Sequence, residues 1–209
     1  MTNNIKILKF RATLLEDMLG TCSADTEVHE KYIASLAPDA VSREEEVAAL
    51  GIDGVIEKSM TVFPRLPNGQ PCMFDYQIKG FLKHAARTAA RVKSSVTSKQ
   101  KAYIKILTDC VFVFATNGGR KIPLCYDGAT EGKVGNSQRP LRAQTAQGER
   151  VSLANSETVP AGATFDFEVH LLEPSHEELV LELLPYAKYQ GFLQWRNAGF
   201  GRAEIIQID

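Results

Sequence analysis

The chain has 209 residues, is 44% hydrophobic and 23% charged, and carries a formal net charge of −1. That suits one globular domain, with or without large insertions, whose core needs no disulfide staples. The near-neutral total conceals two opposed segments: residues 79–105 hold eight Lys/Arg and no acid, while residues 16–57 hold eleven Asp/Glu against Lys31 and Arg43. Such asymmetry points to an anionic partner for one surface and permits head-to-tail contact between copies of the chain.

Cys22, Cys72, Cys110 and Cys125 form no CxxC pair and have no histidine at ligand spacing beside them. Neither a metal nor a cofactor is expected, and scattered cysteines suit a reducing compartment. The first ten residues, MTNNIKILKF, lack a signal-peptide pattern, and the longest apolar run, near Cys110–Ala115, is far too short for a bilayer. A cytoplasmic protein without membrane contact is expected.

In chain order, Ile5–Leu15 reads as a strand with Ile5, Ile7, Ala12 and Leu14 at alternating positions, and Leu19–Asp25 as a loop. Ser42–Glu45 fits a capping box whose helix ends near Gly51. Val55–Phe63 is strand-like, and Pro67-Asn68-Gly69 predicts a hairpin returning through Cys72–Phe74. Tyr76–Lys93 carries Ile78, Phe81, Leu82, Ala85, Ala89 and Val92 at helical spacing. Leu107–Ala115 reads as a strand, turned by Asn117-Gly118-Gly119 into Lys121–Leu124. Tyr126–Gln138 is glycine-rich and reads as irregular, followed by a hairpin of Leu141–Thr145 and Arg150–Ala154. Thr164–Leu172 places Phe165, Phe167, Val169 and Leu171 on one face. A second capping box at Ser175–Glu178 opens a helix to about Tyr189, with Pro185 as a kink, and Arg202–Ile208 is the last strand. Without insertions at about 17–75 and 117–162, the order is β-α-β-β-α-β. That order predicts one α+β, ferredoxin-like (RRM-like) domain over residues 1–209.

Three constellations carry candidate chemistry. Lys79, Lys83, Arg87 and Arg91 recur at spacing four, opposite the apolar stripe, with Lys93, Lys99, Lys101 and Lys105 following. Like charges at that spacing repel, and a polyanion relieves the repulsion while releasing counterions. A solvated helix face is the alternative. Gln194–Arg202 offers Trp195 and Phe200 for stacking, Arg196 and Arg202 for phosphates, and Gly199 and Gly201 for close backbone approach. A tight turn with core-filling aromatics is the alternative, and alone this motif is weak. Arg139 and Arg142 suit a clamp on an exposed hairpin, although an ordinary surface hairpin is the stronger reading. No P-loop, Rossmann fingerprint, GxSxG or HExxH motif is present.

Three places resemble the RAMP superfamily, the RRM-like proteins that form the RNA-binding backbone of CRISPR effector complexes. They are the first strand with Leu19-Gly20-Thr21, the run Phe74-Asp75-Tyr76-Gln77-Ile78-Lys79-Gly80, and the glycine-containing stretch Gly191–Arg202. Pro160-Ala161-Gly162 before a Phe-rich strand also fits. The similarity spans most of the chain in order through short motifs. It departs from the family pattern at Asp75 and in a thin C-terminal glycine run, so it implies a divergent member, a phage-borne one included. The resemblance implies a four-stranded core with an inserted finger and thumb. It also implies single-strand binding by a row of protomers, each touching its neighbour or a related subunit. The "KG" lysine maps onto Lys79 and the glycine loop onto Gly199 and Gly201.

The expected function is therefore non-catalytic binding of single-stranded RNA, or DNA, by a backbone-type subunit. Two alternatives remain beside it. One is a metal-dependent single-strand ribonuclease using Asp25; separately, the resemblance extends to family members that use a histidine as general base, for which His29 and His84 are the candidates. The other is a protein-interaction module that mimics or blocks a CRISPR subunit. The pathway stays open between a CRISPR effector in antiviral defence, phage replication and anti-defence.

Overall fold

The computed structural model describes residues 5–23, 60–145 and 148–209, without the side chains of 141–152. Strand β1, Lys6–Leu14, turns Leu8, Phe10, Ala12 and Leu14 inward, and Ile5 and Ile7 lie exposed. It pairs antiparallel with β10, Thr164–Leu171, and with β11, Ala203–Ile208. β10 pairs in turn with β6, Val111–Ala115, giving the order β11-β1-β10-β6. In β10 the alternation predicted for Phe165, Phe167, Val169 and Leu171 is present, and all four are buried.

Helix α1, Asp75–Ala89, and the later helix α4, Glu177–Leu183, bury their apolar stripes in one cluster with the inward residues of that sheet. The chain order β1-α1-β6-β10-α4-β11 with this strand order is the ferredoxin-like arrangement that the sequence predicts.

Several boundaries differ from the sequence reading. Helix α1 starts where the Gln77 side chain accepts a hydrogen bond from the Phe74 amide at 2.7 Å. It stops at Ala89, where the Ser95 hydroxyl donates to the Ala89 carbonyl at 2.8 Å and the Arg91 amide turns back onto Thr88. Arg91, Val92 and Lys93 thus stand beyond the helix, exposed. Two short helices follow, α2 at Val96–Lys99 and α3 at Tyr103–Asp109. The run expected as one strand from Leu107 therefore serves two elements, with Leu107 buried from α3 and Val111 from β6.

Residues 19–25, expected as loop, contain pairing segments. β2 (Met18–Leu19) joins β9 (Gly148–Val159), and β3 (Cys22–Ser23) pairs with β4 (Thr61–Val62). The predicted strand Val55–Phe63 is described only from residue 60, and Ser42–Gly51 lies outside the described residues. At Pro67–Gly69 a turn closes between Arg65 and Pro71, but its arms then part. β4 joins β9, whereas β5 (Cys72–Phe74) joins β7 (Lys121–Pro123). The second hairpin, β8 (Gly135–Thr145) with β9 (Gly148–Val159), is longer than predicted and takes in part of the stretch expected to be irregular. Near the second predicted capping box, it is the Glu173 carboxylate that accepts from the Ser175 amide. Pro185 opens a 3-10 turn, Leu184–Lys188, where a single helix to Tyr189 was expected, because proline supplies no amide to continue α4.

Candidate nucleic-acid interface

Helix α1 presents its cations unequally. Lys79 folds down to donate to the Thr108 carbonyl at 2.7 Å and lies 4.6 Å over the Phe112 ring. Burial, and then the charge of Lys83, hold the Lys79 ammonium below the ordinary lysine range. Lys83 is half-buried, and Arg87 and Arg91 are exposed. Among the described residues no carboxylate pairs with Lys83, Arg87, Arg91, Lys93, Lys101 or Lys105. Several cations elsewhere are neutralised: Lys6 by Glu177, Arg11 by Asp166, Arg65 by Glu157, Arg120 by Asp75 and Lys188 by Glu204. Arg202 belongs with this second group, since it reaches Glu16 at 2.7 Å.

The segment from Gly191 to Gly201 is a loop with a closed neck. The Phe192 amide donates to the Gly201 carbonyl at 2.9 Å. Gly201 has φ +69°, and a Cβ there would stand 2.4 Å from the Phe192 carbonyl oxygen, so only glycine closes the neck. Gly201 is buried. Phe192 anchors the loop in the core against Phe81 of α1 (4.7 Å between centroids) and Phe165 of β10 (5.4 Å).

Leu193 and Trp195 both adopt left-handed backbone angles, φ 60° and 55°. Non-glycine residues rarely sit there, and such strain persists only where the surroundings enforce it. Gln194, between them, is the enforcing contact. Its amide nitrogen donates one hydrogen to the Gly20 carbonyl and shares the other between Thr61 Oγ1 at 2.7 Å and Ser156 Oγ at 3.1 Å. Its oxygen accepts from Arg139 at 3.3 Å.

Arg139 is 7% exposed and also donates to Ser156 Oγ at 3.0 Å. The exposed clamp expected of Arg139 is thus not present: its partners draw it inward. The Arg142 side chain lies outside the described residues. Trp195 stacks on Phe200 at 5.1 Å, and 40% of its surface stays exposed.

Helix and loop meet at a cleft of about 450 Å³. Arg87 from α1 and Arg196 from the loop supply its positive charge beside the His84 imidazole, and among the described residues no carboxylate lines it. Tyr76, Phe81 and Leu193 supply apolar surface, and Gly80 leaves the helix backbone bare on that side. At the rim the Gln77 amide donates to Thr21 Oγ1 at 3.1 Å, tying the start of α1 to the segment after β2. Burial, then Arg196 and Arg87, hold the His84 imidazole below the ordinary histidine range.

The sequence reading brought Arg87 and Arg196 forward but not Tyr76 or Thr21, and treated His84 only as a possible base. The helical spacing of Gly80, His84 and Arg87 was the available signal for one shared face. Gly199 has φ +92° in the loop, Lys99 lies near Glu182, and Lys93 and Lys101 are exposed outside the cleft. Asp25 and His29 lie outside the described residues. Among the described residues no three His, Cys, Asp or Glu side chains are grouped to hold a metal, and no helix is long and apolar enough to cross a membrane.

No family model and no curated protein matches the chain. Among solved structures, it is similar to a chain of the Type III-B Cmr-beta complex bound to cognate target RNA, with TM-score 0.49 and 10% identity. That match covers 98% of this chain and 61% of the other, so the chain spans about three fifths of that relative's length. It is also similar to Cmr6 from Pyrococcus furiosus, with TM-score 0.45 and 11% identity, over 96% of this chain and 98% of that one. At these identities the likeness is one of fold alone.

Proposed function

We propose that this chain is a non-catalytic, sequence-tolerant binder of single-stranded nucleic acid, with RNA the first substrate to test. One observation carries the reading: Arg87 of α1 and Arg196 of the loop converge on a cleft that, among the described residues, no carboxylate lines. Unpaired cations at a concave surface attract a polyanion, and the counterions released favour binding. Exposed aromatic surface on Tyr76 (54%) and Trp195 (40%) suits bases that are free to unstack, which favours a single strand over a duplex. Lys83, Arg87 and Arg196 contact phosphates, and the exposed part of Trp195, held between Phe200 and Arg139, wedges against a base. Assembly of copies head-to-tail belongs to the same proposal and rests on the opposed charges of residues 16–57 and 79–105.

Fluorescence anisotropy with a labelled single-stranded RNA, repeated across salt concentrations, tests the reading. Binding should weaken steeply with salt and disappear in the double variant Lys83→Glu/Arg87→Glu, whose circular dichroism stays that of the parent. Undiminished binding by that variant removes the helix from the site. A pure protein that binds nothing at low salt would instead favour a protein-interaction role.

A further inference from the structure

We infer that His84, Arg87 and Arg196 form a subsite for one backbone phosphodiester, and that filling it is coupled to protonation of His84. The inference rests on the nucleic-acid reading above and assigns a specific ligand group to the cleft. Two elements bring the three side chains to one cleft, α1 giving His84 and Arg87 and the loop giving Arg196. Among the described residues the remaining titratable group on the lining is the Tyr76 phenol, which stays neutral because partial desolvation raises its pKa further.

The His84 ring has no hydrogen-bond partner among the described residues, so the fold does not consume its nitrogens. One turn earlier, Gly80 faces the same cleft, and a Cβ there would meet nothing within 4 Å. Packing therefore does not explain that glycine. A bare helix surface beside three basic groups lets a sugar-phosphate backbone descend to hydrogen-bonding distance.

His84 is an exposed residue whose imidazole is disfavoured as a cation by partial desolvation against the cleft and then by its neighbours Arg196 and Arg87. A phosphodiester reverses the electrostatic part of that balance. Its negative charge offsets the arginines and accepts a hydrogen bond from the imidazolium, so a proton enters from solvent as the phosphate enters. Linkage then requires affinity to rise as pH falls, by at most about tenfold per pH unit for one coupled proton.

Isothermal titration calorimetry with an oligouridine, whose bases do not titrate between about pH 5.5 and pH 7.5, tests this. Performed in buffers of different ionisation enthalpy, it counts the protons taken up. The parent should gain affinity several-fold over that range with net proton uptake. His84→Gln should bind at the upper pH with no proton uptake and a flat profile. His84→Lys, with a fixed charge, should bind tightly and flatly at both ends. Parent binding without pH dependence, or a slope that survives His84→Gln, overturns the coupling and leaves the nucleic-acid reading standing. No binding by the parent at any pH brings down both.

Discussion

The guanidinium of Arg139 lies 4.7 Å from the centroid of the Trp195 ring and ties the β8–β9 hairpin to the loop. Among the described residues Arg139 has no carboxylate partner, and burial holds its pKa below the ordinary arginine range. It is kept in place by Ser156, Gln194 and the indole face. Lysine lacks the planar fork needed to meet all three. Arg139→Lys and Arg139→Ala should each cost about 1–3 kcal/mol in urea denaturation. Both should also weaken RNA binding through loosening of Trp195. An unchanged urea midpoint would mean that this contact does not position the loop.

Gly80 separates fold from function. Glycine in a helix interior is less favourable than alanine by about 1 kcal/mol, and the added Cβ finds open space here. Gly80→Ala should therefore raise stability by roughly that amount while reducing RNA affinity, because the methyl group enters the cleft. Equal affinity in parent and variant would show that the strand passes clear of the helix at this turn.

The strand and helix order of the core was legible because each element repeats a pattern along its own length. Phe165 to Leu171 alternate as one buried face, and Ile78 to Ala89 recur at helical spacing. What escaped depends on contacts distant in sequence. Arg139 reads as a surface cation until Ser156 and Gln194, 17 and 55 residues away, are placed beside it. The end of α1 is set by the Ser95 hydroxyl on the Ala89 carbonyl, which a continuing run to Lys93 does not announce. At Leu107–Ala115 two adjoining elements are both apolar, so no single period separates α3 from β6. In the candidate site, Arg87 was legible as part of a charge stripe. His84 was not, since its significance comes from Arg196 more than a hundred residues later.

Glu182 holds the basic segment after α1. Its carboxylate accepts from the Val96 amide at 2.7 Å, the Thr97 amide at 2.9 Å and the Thr97 hydroxyl at 2.6 Å. Burial pushes its pKa up, but the bonds from Thr97 and Val96 and the charge of Lys99 outweigh this and leave it below the usual carboxylate range. A carboxylate depressed on folding adds stability above its unfolded pKa, and that contribution is lost as pH falls through the folded value. Glu182→Gln should therefore remove part of the acid-side loss of stability, and Glu182→Ala should cost on the order of 1–2 kcal/mol near neutral pH. Urea midpoints measured from about pH 7 to pH 3 check both, and parallel curves for parent and Glu182→Gln would exclude Glu182 as the titrating group.

Lys79 and Arg87 share a helix face in sequence but not a role in space. The Lys79 ammonium is already held by the Thr108 carbonyl at the end of α3 and by the Phe112 ring, whereas Arg87 has no ion-pair partner among the described residues and lines the cleft. A cation that meets phosphate on binding contributes about one unit to the slope of log affinity against log salt. Arg87→Ala should thus flatten that slope by about one unit and leave the urea midpoint near the parent's. Lys79→Ala should do the reverse, with the slope kept and about 1 kcal/mol of stability lost with the carbonyl bond and the ring contact. If both variants flatten the slope equally, Lys79 leaves its intramolecular partners when nucleic acid arrives, and the contact surface extends along α1 toward β6.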